Sequence, residues 1–262
     1  MDYERVLSFI RAYSRPDSSE VLSEIYRDAI RDGVPVIRTD MRDYMRTLLC
    51  MVRPKRILEI GTAVGYSACF MADTLLGCMD ENYAKKRELD GAVHGGGTDT
   101  YESVQGDVVP GTECVPLRID TCELEHDMVI RARENISRMG LCDYITVHEG
   151  DGERLLDDLC RIHEQDVGWQ GYDLIFIDAA KAQYMSYLER AMRLSHMGTV
   201  IVSDNILQEG KILESHFLVE KRDRTIHDKM RRYLSYIMNS DKLESALLPV
   251  GDGAAVSVVK TL

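Results

Sequence analysis

The chain has 262 residues, 45% of them hydrophobic, which suits one α/β domain with a large core and excludes a wholly disordered chain. A formal net charge of −12 excludes a protein that grips nucleic acid with its whole surface and leaves room only for a local basic patch. The longest apolar runs fall far short of the roughly 20 residues of a membrane helix; with a start as charged as MDYERVLSFIRAYSR, the expectation is a soluble, cytoplasmic protein without a targeting segment.

The first 50 residues read as helices, with apolar positions at helical spacing in Tyr3 to Ala12 and Val21 to Ile30 and a break at Gly33 and Pro35. From Arg56 short apolar runs alternate with amphipathic segments. Strands are predicted at 56–60, 115–121, 145–150, 174–179 and 199–204, and helices at 66–76, 125–139, 153–160 and 182–194. Such alternation, with strands apolar on both faces, predicts a parallel sheet covered on both sides. After a helix over 225–238, SALLPVGDGAAVSVV reads as two strands joined at Gly251-Asp252-Gly253, a closing antiparallel hairpin.

Residues 77–114 break the rhythm: polar and glycine-rich, with eight acids against three basic residues, they are longer than a connection in a compact domain and read as an insertion, a flap or disordered. Seven cysteines, an odd number without a Cys-x-x-Cys pair, indicate neither a disulfide framework nor a zinc knuckle and are expected to be reduced core thiols. The histidines show no ligand spacing such as His-x-x-x-His and are read as structural or exposed.

LEIGTAVGYS at 58–67 places glycines after a strand and before a helix, where backbone approaches a ligand closely and helix N–H groups point outward. Gly61 to Gly65 is G-x-x-x-G preceded by Glu59; it lacks the middle glycine that admits a pyrophosphate, which favours a nucleoside ligand over a dinucleotide and disfavours a nicotinamide-dependent oxidoreductase. An acid ending the next strand can bind both ribose hydroxyls, and Glu123 in IDTCELEH is the candidate; Asp151 in HEGDGERL can accept from an adenine amino group. An ordinary glycine turn and surface acids are the alternatives for each feature taken singly.

Together, EIGTAVGYS, FIDAAKAQY, VSDN and LPVGDG resemble the motifs of the class I S-adenosylmethionine-dependent, metal-dependent O-methyltransferases related to catechol and caffeoyl-CoA O-methyltransferases, from about Val34 to Lys260 without the insertion. The run KRDRTIHDKMRRYLSYIMN followed by LLPVGDG is most similar to the bacterial branch that methylates 5-hydroxyuridine at the wobble position of tRNA. The resemblance implies a Rossmann-like doubly wound α/β fold with a seven-stranded sheet, N-terminal helices over 1–52, a single domain over 1–262, and commonly a homodimer. For adenosylmethionine the candidate set is Ile37, Glu59, Gly61, Gly65, Ser67, Glu123, Asp151 and Asp178, with Ile37 near the methionine end.

LIFIDAAK and TVIVSDN each deliver an acid after a buried strand. In the doubly wound order these strands are neighbours about 4.8 Å apart, and two carboxylates at 4 Å repel by roughly 4 kcal/mol at an effective dielectric near 20. A cation removes that cost: Asp178, Asp204 and the Asn205 amide oxygen form an all-oxygen set suited to Mg²⁺ or another hard divalent ion. Helix capping by one acid and pairing of the other with Lys181 is the alternative. The expected chemistry puts Asp178 and Lys181 in catalysis, with Lys181 taking or orienting the proton of an acceptor hydroxyl; Tyr184 and Tyr187 line the acceptor pocket or pack the core. Lys221, Arg222, Arg224, Lys229, Arg231 and Arg232 against Asp223 and Asp228 give a local +4, a surface for tRNA or simply a solvated helix face. A small catechol or phenol is the other acceptor considered, and a non-catalytic adenosylmethionine-binding scaffold the other class; clustered acids speak against the scaffold.

Overall fold

A computed structural model describes residues 3–79 and 116–262. Three helices open the chain: α1 (Tyr3–Ala12), α2 (Glu20–Arg31) and α3 (Thr39–Val52). The Ser19 side chain caps α2 by accepting from the Leu22 N–H at 3.2 Å, and Leu22, Ile25 and Ala29, at helical spacing, form its buried stripe. Then follow β1 (Arg56–Ile60), α4 (Tyr66–Met79), β2 (Arg118–Glu123), α5 (His126–Arg138), β3 (Ile145–Glu149), α6 (Gly152–Glu164), β4 (Tyr172–Ile177), a 3₁₀ turn at Lys181–Gln183, α7 (Tyr184–Arg193) and β5 (Ser195–Ser203). A last helix, α8 (Arg224–Asn239), precedes β6 (Leu243–Leu248) and β7 (Ala254–Val259).

The described strands form one seven-stranded sheet in the order β3-β2-β1-β4-β5-β7-β6. β3 through β5 are parallel, and β7 and β6 join antiparallel at the β5 edge. In β4, Leu174 and Phe176 face the core under α2 to α5, while Ile175 and Ile177 face the core under α6 to α8. The period-2 side-chain alternation of a strand divides one apolar run between two layers, and each such buried side chain contributes about 1.5–3 kcal/mol.

Register positions the site. Ile60 pairs with both Cys122 and Ile177, and Ile177 with Ser203, so the residues that follow, Gly61, Glu123, Asp178 and Asp204, leave the sheet at one edge. At Gly61 the close approach is severe: φ is +105°, and a Cβ would lie 2.1 Å from the carbonyl oxygen of Asp178. Only glycine lets β1 turn away beside the end of β4.

Several boundaries differ from the sequence reading. α4 continues through Gly77 and Cys78 to Met79, so the first residues assigned to the insertion are helical; the rest of it, from residue 80, lies outside the described residues. β2 occupies 118–123 rather than 115–121, because the ladder continues to Glu123 opposite Glu149. β5 begins at Ser195, since Ser195 pairs with Tyr172 ahead of a register shift, a contact with no apolar signature. Cys69, Cys122 and Cys160 are buried, as expected of core thiols, but Cys78 and Cys142 are exposed and Cys50 half-buried; the Cys50 and Cys78 sulfurs touch at 2.8 Å. Amphipathic helices put these three at helix ends or in turns rather than on the buried stripe. Cys114 lies outside the described residues. Among the described residues, no helix is long and apolar enough to cross a membrane.

Candidate active site

The carboxyl ends of β1 to β5 open into a cavity of about 750 Å³, which is where ligands bind in open parallel sheets. Ile37, Gly61, Ser67, Glu123, Asp151, Asp178, Lys181, Asp204 and Asn205 all line it. Two predicted residues do not. Gly65 faces α5, where a Cβ would lie 3.2 Å from Ala132, so its role is to let α4 and α5 pack closely. Glu59 is fully buried under the Gly61 turn, and its Oε2 accepts from the Thr121 hydroxyl at 2.5 Å. Burial pushes the Glu59 carboxyl up to about 7, against the opposing pull of the Ser67 and Thr121 hydroxyls. Its effect on a ligand therefore passes through Ser67.

Glu123 is held by three backbone donors: the Ala63 N–H at 2.7 Å on Oε2, and the Leu124 and Glu125 N–H groups at 2.8 and 2.9 Å on Oε1. Of the roughly four lone-pair sites of a carboxylate these leave one, on Oε2, and Glu123 lines the cavity. Asp151 caps α6 by accepting from the Arg154 N–H at 3.1 Å. Ile37 is buried on the segment leading into α3, and Arg38 beside it also lines the cavity.

At the ends of β4 and β5 two acids meet. Burial raises the Asp178 carboxyl above its usual range, opposed by a hydrogen bond from Asn205 Nδ2 at 2.8 Å and by the Lys181 ammonium. Burial likewise raises Asp204, and the neighbouring Asp178 and Asp252 push the same way; the Asn205 backbone N–H, 2.7 Å from Asp204 Oδ1, and Arg38 oppose them. Asn205 adopts φ +57°, a left-handed conformation that asparagine tolerates better than most residues. Gln208 and Glu209, at φ +53° and +56°, are held likewise on the next turn, and strained backbone of this kind gathers at functional sites.

Asp252 and Glu209 were not among the predicted residues. Both oxygens of Asp252 accept from the Glu209 N–H, at 2.8 and 3.0 Å, tying the closing hairpin to the loop after β5. The Gly-Asp-Gly turn was legible, but not that it folds back onto the cavity. Tyr187 lines the cavity, whereas Tyr184 is core: its hydroxyl donates to the Asp204 carbonyl at 2.8 Å and steadies that strand end from beneath.

Fold and site together are those of a methyl-transferring α/β enzyme, and residues 116–260 match the O-methyltransferase family. The chain belongs to that family. It is 27% identical over 235 residues to a catechol O-methyltransferase of Niastella koreensis, covering 87% of this chain and 85% of that one. It is 32% identical over 126 residues to caffeoyl-CoA O-methyltransferase 1 of Eucalyptus globulus, covering 45% of this chain and 47% of the relative. The crystal structure of an O-methyltransferase from Bacillus cereus in complex with SAH superposes with a TM-score of 0.68 at 24% identity, over 98% of this chain and 97% of the other, a likeness of fold.

Proposed function

We propose that the cavity binds S-adenosylmethionine and that the protein transfers the methyl group to a hydroxyl of a small aromatic acceptor carrying two adjacent oxygens, with a hard divalent cation assisting. The observation that carries this reading is the convergence, in one cavity, of the pinned Glu123 carboxylate with Asp178, Lys181, Asp204 and Asn205. The relatives named for catechol and caffeoyl-CoA methylation, and the SAH in the Bacillus cereus structure, support it.

The donor set fits a hard ion. Two buried acids whose ionisation is opposed by burial, and for Asp204 also by the neighbouring Asp178, would both ionise beside a divalent charge. Asn205 turns Nδ2 toward Asp178, and its Oδ1 is the atom a cation would use. When bound, adenosylmethionine would supply a methyl group on a positively charged sulfur, and a divalent cation would lower the pKa of a neighbouring hydroxyl. Glu123 holds the ribose, Asp151 accepts from the adenine, and Ile37 gives an apolar wall at the methionine end. Lys181 Nζ, on the 3₁₀ turn three residues after Asp178, would orient the acceptor hydroxyl as the ammonium, or take its proton once it has given up its own. Much of the rate comes from holding donor and acceptor in line.

A second reading, methylation of 5-hydroxyuridine in tRNA, rests on Lys221 and Lys229, which stand exposed. The arginines of that stretch are committed elsewhere: Arg224 donates to the Val219 carbonyl, Arg231 to Ile212, Arg232 to Asp228, and Arg222 pairs with Glu220. Bonds to neutral carbonyls occupy donors but leave those charges in place, and Glu220 offsets one of them; the relatives named for catechol and caffeoyl-CoA methylation favour the small acceptor. Incubation with adenosylmethionine, Mg²⁺ and either a panel of catechols and phenols or tRNA lacking the modification decides the acceptor by mass spectrometry. Turnover of the panel without tRNA methylation supports the first reading; tRNA methylation alone reverses it.

A further inference from the structure

Away from the cavity, His216, His227 and Asp228 bring three ligating atoms within 4.8 Å of one another. His216 lies on the segment between β5 and α8, and the other two lie in the first turns of α8. His216 Nδ1 is 2.8 Å from Asp228 Oδ1, and His227 Nδ1 is 3.4 Å from the same oxygen. The other nitrogen of His227, Nε2, faces the Glu214 carbonyl at 3.1 Å, an oxygen that also accepts from Arg231 at 3.2 Å.

A carbonyl oxygen only accepts, so His227 Nε2 carries the hydrogen; in the neutral ring Nδ1 then turns its lone pair toward the carboxylate. Two electron-pair donors face each other there, with a second imidazole nitrogen on the same oxygen. A histidine whose far nitrogen donates to a backbone carbonyl has its ring and tautomer fixed as in metal-binding histidines. His227 is 1% exposed and held in place, while the side chains of His216 and Asp228 are each 43% exposed and leave a path for an ion. Ligands about 2.0–2.2 Å from a tetrahedral zinc ion stand roughly 3.3–3.6 Å from each other, a spacing that movement of the exposed His216 ring supplies.

We propose that His216, His227 and Asp228 form a binding site for a divalent transition-metal ion of zinc type, sharing no residue with Asp178, Asp204 and Asn205. Two imidazole nitrogens and one carboxylate select such an ion over Mg²⁺. Water completes the tetrahedron on the open side. The ion clasps the segment Glu214–Leu218 onto α8, a segment that carries the exposed Phe217 and Leu218 and continues from the cavity-lining Glu209.

The test uses the full-length protein stripped with chelator and then given Zn²⁺ alone, with bound zinc measured by competition against a chromophoric chelator and protection of amides 214–218 measured by hydrogen exchange. Wild type and Asp204→Asn should both bind zinc at micromolar concentration and slow exchange in that segment. His216→Ala and Asp228→Asn, at half-exposed positions, should each weaken binding roughly tenfold or more and abolish the zinc-dependent protection. Equal zinc retention by wild type and His216→Ala, loss of the site in Asp204→Asn, or exchange in 214–218 indifferent to zinc overturns the proposal.

Discussion

Glu59 makes a pH-dependent prediction. Its carboxyl is fully buried and pushed up to about 7 from an ordinary 4.5, chiefly by desolvation. The folded protein therefore binds this proton more tightly than the unfolded chain does. Where the unfolded group has ionised and the folded one has not, the folded state carries the extra proton and stability falls as pH rises. The loss begins near the unfolded value, is complete once pH passes the folded value, and amounts to roughly 3 kcal/mol at about 1.4 kcal/mol per pH unit. Glu59→Gln keeps the shape and removes the titration. In urea unfolding with EDTA present, the stability of wild type minus that of Glu59→Gln should decline by about this amount between pH 4 and 8, leaving the variant the more stable protein above pH 7. Above pH 7 the same variant should bind adenosylmethionine more weakly, because Ser67 there loses a charged partner. A stability difference that stays flat or rises with pH refutes the reasoning.

Three other substitutions probe the site. Gly61→Ala puts a Cβ 2.1 Å from the Asp178 carbonyl at φ +105°, so it should destabilise by roughly 3 kcal/mol or more, the sum of a disfavoured backbone and an overpacked contact; an unchanged urea midpoint would contradict the close approach. Glu123→Gln replaces one oxygen with an amide nitrogen that cannot accept from the backbone donors around it, and calorimetry should show adenosylmethionine binding weakened roughly 10- to 100-fold, the scale of a charged hydrogen bond; an unaltered Kd would remove Glu123 from the ribose. Lys181→Ala should lower kcat by about 10²- to 10⁴-fold with cofactor affinity kept, whereas a loss confined to KM would make Lys181 a binding residue only.

How much was legible in the chain depended on the distance over which each signal acts. β1 emerges at Arg56–Ile60 as read, because an isolated apolar run between Pro54 and Gly61 has only one way to lie in the sheet. The neighbouring placement of Asp178 and Asp204 followed from strand order alone, and β4 and β5 do pair. Long-range returns were hidden: Asp252 reaches Glu209 across 43 residues, and His216 meets Asp228 from another element with no motif spacing. Glu59 and Gly65 were read as ligand contacts from a glycine motif whose chemistry partly serves packing, Glu59 under the turn and Gly65 against Ala132. The basic stretch read as a row of free donors in one dimension, yet most of its arginines donate to nearby carbonyls.

Methyl transfer from methyl-labelled S-adenosylmethionine to a catechol, measured with Mg²⁺ present, in excess EDTA and with Asp178→Ala and Asp204→Ala, decides whether a cation assists at this site. Label should appear on one hydroxyl of the acceptor and be abolished by EDTA and by either substitution. Full transfer by both variants in EDTA would contradict the cation-assisted site.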